Sequence, residues 1–144
     1  MRGVPGSGKS TWVANNVYPA IVCSADHYHA GGGGKYIYRP ENVGKAHAAC
    51  LKKYCNYLNL AGRTQNMVVD NTNTMMWEMA PYVSLAMAFD HEFRIVDIAA
   101  DCEEAAGRNI HGVPTEVVKS MWFRNTSESY PYPWKDNVMF VKDI

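Results

Sequence analysis

Gly3-Val4-Pro5-Gly6-Ser7-Gly8-Lys9-Ser10 fits the pattern G-x-x-x-x-G-K-[ST], a phosphate-binding loop that leads into a helix. Glycines at these positions let backbone N–H groups turn inward around a phosphate with no Cβ in the way. The helix starting near Lys9 aims its unbonded N–H groups and positive dipole end at the same anion. Lys9 is expected to reach the β- and γ-phosphates, and the Ser10 hydroxyl to ligate Mg²⁺. The stretch from Gly3 through Pro5, Gly6, Ser7 and Gly8 to Lys9, Ser10 and Thr11 is thus the expected binding segment for a nucleoside triphosphate.

Outward from this loop, elements alternate. A first helix is expected from Lys9 to Asn16, ended by Pro19, then a buried strand over Ala20-Ile21-Val22-Cys23-Ser24. Asp26 to Gly34 reads as a loop. Val43, Ala46, His47, Cys50, Leu51, Tyr54 and Leu58 recur at spacings of three and four and predict a long amphipathic helix, with Pro40 near its start and Gly62 past its end. Met67-Val68-Val69-Asp70 is a second strand. Met76, Met79, Val83 and Ala86 mark another helix, in which Pro81 must lie in the first turns or bend the axis. Phe93 to Ile98 is strand-like, a short helix passes through Ala105 and Ala106, a helix follows from Pro114 to about Asn125, and Val138 to Val141 suits a last strand. Alternating strands and helices predict one α/β domain over 1–144: a P-loop nucleotide-kinase-type parallel sheet with helices on both faces and a small lid at about 107–115. A P-loop ordinarily follows a buried central strand, and only Met1 and Arg2 precede Gly3 here. The first strand is therefore expected to be truncated, lying upstream of this start, with the tail strand at Val138 to Val141 or a partner's strand as other candidates for its slot.

Three further segments carry chemistry. Ser24-Ala25-Asp26-His27-Tyr28 follows the first strand, and strand C-terminal ends border the ligand crevice in such sheets. Asp26 there can accept a proton from an attacking hydroxyl or help hold Mg²⁺, or it can simply cap a turn. Asp70-Asn71-Thr72-Asn73-Thr74 ends the next strand; Asp70 suits a metal-holding carboxylate, and Asn71, Thr72 and Asn73 offer neutral hydrogen bonds to a substrate or to Asp26, with Thr72 or Asn73 expected in any case to cap the following helix. Arg108-Asn109-Ile110-His111-Gly112-Val113-Pro114 places an arginine at the start of the lid, where it can neutralise charge on a transferring phosphoryl group or remain a solvated helix end.

Taken together, G-V-P-G-S-G-K-S-T, S-A-D-H-Y, V-V-D-N-T-N-T with W-E-M-A-P-Y-V, and R-N-I-H-G-V-P resemble the polynucleotide-kinase-like P-loop (AAA-type ATP-binding) family, which includes phage 5′-polynucleotide kinases. The similarity runs from Gly3 to about Trp134. It implies ATP as donor, Mg²⁺, a 5′-hydroxyl acceptor, Asp26 as the general base, Lys9 and Ser10 on the phosphates and metal, and Arg108 contacting the donor. Two departures stand out. His29 occupies the position where the phage enzymes carry an arginine that grips the acceptor's phosphate, and His111 stands where their lid is more basic. Both histidines are expected to face substrate. With no D-x-D-x-T motif, 3′-end processing is not expected.

The formal net charge is zero, which suits a small nucleotide or a short strand end better than a long duplex. No apolar run approaches the length of a membrane span, and no signal peptide is read. Cys23, Cys50, Cys55 and Cys102 show neither a C-x-x-C pair nor metal-ligand spacing, so reduced thiols in a cytoplasmic chain are expected. Gly31 to Gly34 gives the segment after Asp26 freedom to fold or acts as a plain linker. Lys35, Tyr36, Tyr38 and Arg39 mix basic and aromatic groups as single-strand surfaces do or form a solvated loop, the latter favoured by the zero net charge, and Tyr130 to Trp134 reads as an aromatic–proline clamp on the C-terminal segment, with base stacking as the alternative. The leading expectation is ATP-dependent phosphoryl transfer to a polynucleotide 5′-hydroxyl. A nucleoside or small-metabolite kinase remains an alternative, as does a nucleotide-binding module with little turnover that feeds a partner protein.

Overall fold

The computed structural model describes residues 1–30, 37–60 and 65–142. Gly31 to Gly34, Lys35, Tyr36 and Gly62 lie outside the described residues. After the loop at its start the chain forms α1 (Lys9–Asn16), β1 (Ala20–Cys23), a single-turn α2 (Asp26–His29), a 3-10 turn (Pro40–Asn42), α3 (Val43–Leu60), β2 (Asn66–Val69), α4 (Met76–Ala88), β3 (Ile95–Ala99), α5 (Cys102–Arg108), α6 (Thr115–Ser127), a second 3-10 turn (Tyr132–Asn137) and β4 (Val138–Lys142). This is an α/β domain of helices and short parallel strands. α2 replaces the expected loop at Asp26, because four residues without apolar spacing leave no helical signal.

β1 pairs parallel with β2, from Ala20↔Asn66 to Cys23↔Val69. β3 pairs parallel with β4, from Ile95↔Val138 to Ala99↔Lys142. The tail strand therefore adds to the outer edge of β3 and does not fill the central slot. Between β2 and β3 lie Met1, Arg2 and Gly3. The Met1 nitrogen donates to Val69 O at 2.8 Å, Arg2 N to Val96 O at 2.8 Å, Ile98 N to Arg2 O at 2.9 Å, and Gly3 N to Thr72 O at 2.9 Å. These bonds anchor the P-loop to both halves of the sheet.

Arg2 adds a side-chain anchor that the sequence does not advertise. Its guanidinium, 2% exposed, bonds Asp97 Oδ2 at 2.6 Å, Thr74 O at 3.2 Å and Asn125 O at 2.6 Å. Tyr130 donates its hydroxyl to the same Asp97 oxygen at 2.6 Å, and its ring lies 5.2 Å below the guanidinium. The Tyr130 to Trp134 clamp thus packs as expected at its ends: Tyr130 and Trp134 join Met79 and Ile95 in one apolar cluster, while Tyr132 is exposed.

The buried stripe of α3 is Ala46, Cys50, Tyr54 and Leu58, a strict i, i+4 row that packs on Cys23 and Tyr82. His47 lies one residue off that row and is exposed, contrary to the stripe read from the sequence. α4 starts with the Glu78 carboxylate accepting from Met75 N at 2.9 Å, so neither Thr72 nor Asn73 caps it. Pro81 sits inside α4, in its second turn. Val4, Ala105 and Val118 form a third cluster that seats the P-loop on α5 and α6.

Candidate active site

The P-loop bends through three glycines at positive φ: Gly3 at 147°, Gly6 at 77° and Gly8 at 94°. Gly6 is the tightest. A Cβ there would sit 2.0 Å from Ala105 O and 3.0 Å from Asn109 N, so the loop lies directly on the backbone of α5 and the start of the lid. Gly6→Ala is expected to cost about 1–3 kcal/mol from backbone strain alone, with the clash against α5 added, and to weaken ATP binding. Urea unfolding and a nucleotide titration on the same variant check both effects.

Gly8 is the N-cap of α1 and no side chain caps that helix. Its first-turn N–H groups are therefore left for an external acceptor. Val4 O gathers the donors of the free loop, taking Ser7 N at 3.2 Å and Lys9 Nζ at 2.9 Å. Ser7 itself is buried, with its Oγ lacking a hydrogen-bond partner among the described residues, and Pro5 is buried beside it, while Ser10 and Thr11 are exposed on α1. Uncapped helix amides, glycines that clear a cradle and the Lys9 ammonium fit the phosphates of a nucleoside triphosphate.

Burial lowers Lys9 from 10.5 to about 8, with Asp70 and then Asp26 partly opposing the shift. Phosphates brought to the ammonium favour its charged form, so binding is expected to take up protons near pH 8. Raising pH from 7 to 9 should weaken ATP binding about tenfold, because the competent protonated fraction of the free protein falls by that factor. Calorimetric titrations at the two pH values, in buffers of different ionisation enthalpy, read the affinity and the proton uptake together.

Ser10 Oγ donates to Asp70 Oδ2 at 2.6 Å, and Asp70 N is fixed by Cys23 O at 2.9 Å. A hydroxyl and a carboxylate in contact are hard oxygen donors of the kind Mg²⁺ takes in small number, keeping waters and phosphate oxygens for the rest. Among the described residues, no group of three or more His, Cys, Asp or Glu side chains gathers.

Asp26 opens α2 at the C-terminal end of β1. Its own N–H bonds Ser24 Oγ at 3.2 Å, and the preceding amide, Ala25 N, bonds Asn71 Oδ1 at 2.9 Å. The carboxylate is half exposed and lies 3.8 Å from His111 Nε2. The loop between α5 and α6 thus reaches the Asp26 carboxylate through His111. Arg108 ends α5, with its guanidinium 3.8 Å from Glu104.

The expected substrate ligands divide. His111 reaches Asp26. Asn71 and Asn73 are buried scaffold: Asn71 holds Ala25 and contacts Cys50 Sγ at 3.5 Å, and Asn73, at φ 46°, donates to Met1 O at 2.8 Å. His29 is buried, its ring 5.8 Å from that of Tyr28 and 5.3 Å from that of Tyr38, so it packs an aromatic group under the site. Lys53, not singled out from the sequence, donates to Val22 O at 2.8 Å and lies 3.5 Å from His27 Nδ1, steadying the end of β1 beside Asp26. Its register on α3, three residues past Cys50, is the only trace of that role in the sequence.

With this geometry in hand, two comparisons bear on the site. The sequence profile of the AAA domain family matches residues 1–125. NEDD4-binding protein 2 of Homo sapiens is 30% identical over 131 residues; the match covers 84% of this chain and 7% of the human protein.

Proposed function

Since the chain belongs to the AAA domain family, a kinase-like family of P-loop NTPases, we propose that it transfers the γ-phosphoryl group of ATP to a hydroxyl, specifically the 5′-hydroxyl at a polynucleotide end. The observation that carries this reading is convergence at one end of the sheet. A P-loop, a Ser10–Asp70 pair and a separate half-exposed carboxylate, Asp26, lie together under a lid that touches that carboxylate through His111. A site that only hydrolysed or held a nucleotide has no need of the third part.

Lys9 and the α1 amides would bind the phosphates, and Ser10 and Asp70 would hold Mg²⁺. The metal, when bound, neutralises phosphate charge and fixes the γ-phosphoryl group for in-line attack. Asp26 takes the proton of the acceptor hydroxyl as that oxygen bonds to phosphorus, while the bond from phosphorus to the β–γ bridging oxygen breaks and ADP leaves with that electron pair. Arg108, at the end of α5 where the lid begins, would offset charge on the transferring group. Zero net charge supports a short strand end as acceptor over a long duplex. No helix among the described residues is long and apolar enough to cross a membrane, and the four cysteines are free thiols, which supports a reducing, cytoplasmic setting.

One observation favours a second reading. Burial of His29 withdraws the group expected on the acceptor's phosphate, which suits a small acceptor, or a nucleotide-binding module that acts through a partner protein. A panel of 5′-hydroxyl DNA and RNA oligonucleotides, nucleosides and polyols, incubated with γ-labelled ATP and Mg²⁺, separates the readings. Label on oligonucleotide 5′ ends supports the proposal; label confined to small acceptors, or none, overturns it.

A further inference from the structure

Beneath Asp26 lies the core cluster of Cys23, Cys50, Tyr54, Leu58 and Tyr82, with Ala25 packed against it. The side chain of Asn71, 7% exposed, reaches that cluster from the turn after β2. Both ends of its amide are engaged. Oδ1 accepts from Ala25 N at 2.9 Å, and Nδ2 donates to Cys50 Sγ at 3.5 Å. The first bond decides which way round the amide lies. A backbone N–H can only donate, so the oxygen faces Ala25 and the NH₂ group faces Cys50. Tyr82 of α4 brings its hydroxyl against both Cys50 and Asn71. Burial, and then the contact with Cys50, push that hydroxyl well above its ordinary range, so it stays protonated.

The position of Ala25 gives this network its consequence. It is the N-cap residue of α2, a single turn with no side-chain cap, and Asp26 comes next. Side chains hold two amides at this entry: Ser24 Oγ takes Asp26 N at 3.2 Å, and Asn71 takes Ala25 N. The Ser24 bond is local, whereas the Asn71 bond ties α2 to the core. An enclosed NH₂ group is costly to leave without an acceptor, so Asn71 keeps the orientation in which Cys50 faces it. Sulfur accepts weakly, and the Tyr82 hydroxyl supports it. If the amide swung away, Ala25 N would be released and α2 could shift. A displacement of about 1 Å in a reacting group can cost about 10²-fold in rate.

We propose that Cys50 and Tyr82 are positioning residues for Asp26, acting through Asn71 to lock the amide that holds the entry to α2. The inference rests on the reading of Asp26 as the general base. Cys50 is 2% and Tyr82 8% exposed, so both act through the amide and not on a substrate.

The test compares Cys50→Ala, which removes the acceptor, with Cys50→Ser, which keeps one, and with Tyr82→Phe, which removes only the hydroxyl. Cys50→Ala and Tyr82→Phe should each lower kcat for transfer to a 5′-hydroxyl oligonucleotide by roughly tenfold to a hundredfold, with KM for ATP unchanged. Cys50→Ser should recover most of that loss, although urea midpoints should rank alanine at or above serine in this apolar cluster. In the Asp26→Asn background, Cys50→Ala should cost nothing further. Amide exchange at Ala25 should quicken in Cys50→Ala and Tyr82→Phe beyond any change in α6. Wild-type kcat in both variants, a serine variant no better than alanine, or a full further loss in the Asp26→Asn background overturns the proposal. So does Ala25 exchange that fails to move. That last readout needs no turnover. A wild type that labels no acceptor overturns the phosphoryl-transfer reading, while exchange at Ala25 still judges the tether on its own.

Discussion

Asp26→Asn is expected to lower phosphoryl transfer by about 10²–10⁴-fold, the range for loss of a positioned general base, with ATP affinity nearly unchanged. Asparagine keeps the size and the local backbone bonds: Asp26 N to Ser24 Oγ and Ala25 N to Asn71 involve main-chain donors that the substitution does not touch. It removes the proton acceptor, together with the charge that faces His111 and that is the smaller of the two holding Lys9 up. The phosphates lie with Lys9 and α1, and the metal pair is Ser10 and Asp70, so the donor half of the site stays whole. Steady-state kinetics beside a nucleotide titration make the split visible. A variant that binds ATP and transfers at the wild-type rate removes Asp26 from the mechanism.

Asp97→Ala should destabilise the fold by about 3–5 kcal/mol, the cost of leaving a buried charge without its partner. Asp97 is 3% exposed, and Arg2, equally enclosed, would keep its guanidinium against Tyr130 with no counterion. Tyr130 would lose the acceptor of its hydroxyl as well. The pair is also imperfect, because Arg2 Nε and Asp97 Oδ1 have no hydrogen-bond partner among the described residues. Replacing both ends with apolar side chains, Arg2→Met with Asp97→Leu, should therefore cost less than Asp97→Ala alone. Urea midpoints for wild type, single and double variants measure this. A single variant within about 1 kcal/mol of wild type contradicts a buried pair that anchors the P-loop.

Local patterns in the sequence proved readable, and long-range ones did not. The P-loop, Asp70 and Asp26 are each written in a few adjacent residues: a glycine-spaced loop before Lys9, and an aspartate at or just past the end of an apolar run. The succession of strands and helices followed from the same alternation, and the packed ends of the Tyr130 to Trp134 clamp matched its composition. His29 looked like a ligand because of its place after Asp26, yet Tyr38, from a separate segment, covers it. His47 looked buried because spacings of three and four admit it, whereas the packed row keeps to strict fours from Ala46. Asn73 looked like a substrate group, but its left-handed backbone and its bond to Met1 O make it a hinge pin of the turn after β2. Nothing near Arg2 in the sequence points to Asp97. The one hint was a lone carboxylate in the apolar run Ile95-Val96-Asp97-Ile98, which asks for a buried partner without saying which.

Transfer of the γ-label from ATP to a 5′-hydroxyl oligonucleotide, run for wild type beside Lys9→Ala and Asp26→Asn with and without Mg²⁺, tests the central claim most directly. The account predicts Mg²⁺-dependent label on the oligonucleotide end with wild type and its loss in both variants, with ATP binding lost only in Lys9→Ala. Undiminished label with Asp26→Asn, or a wild-type protein that binds ATP and labels nothing, would contradict it.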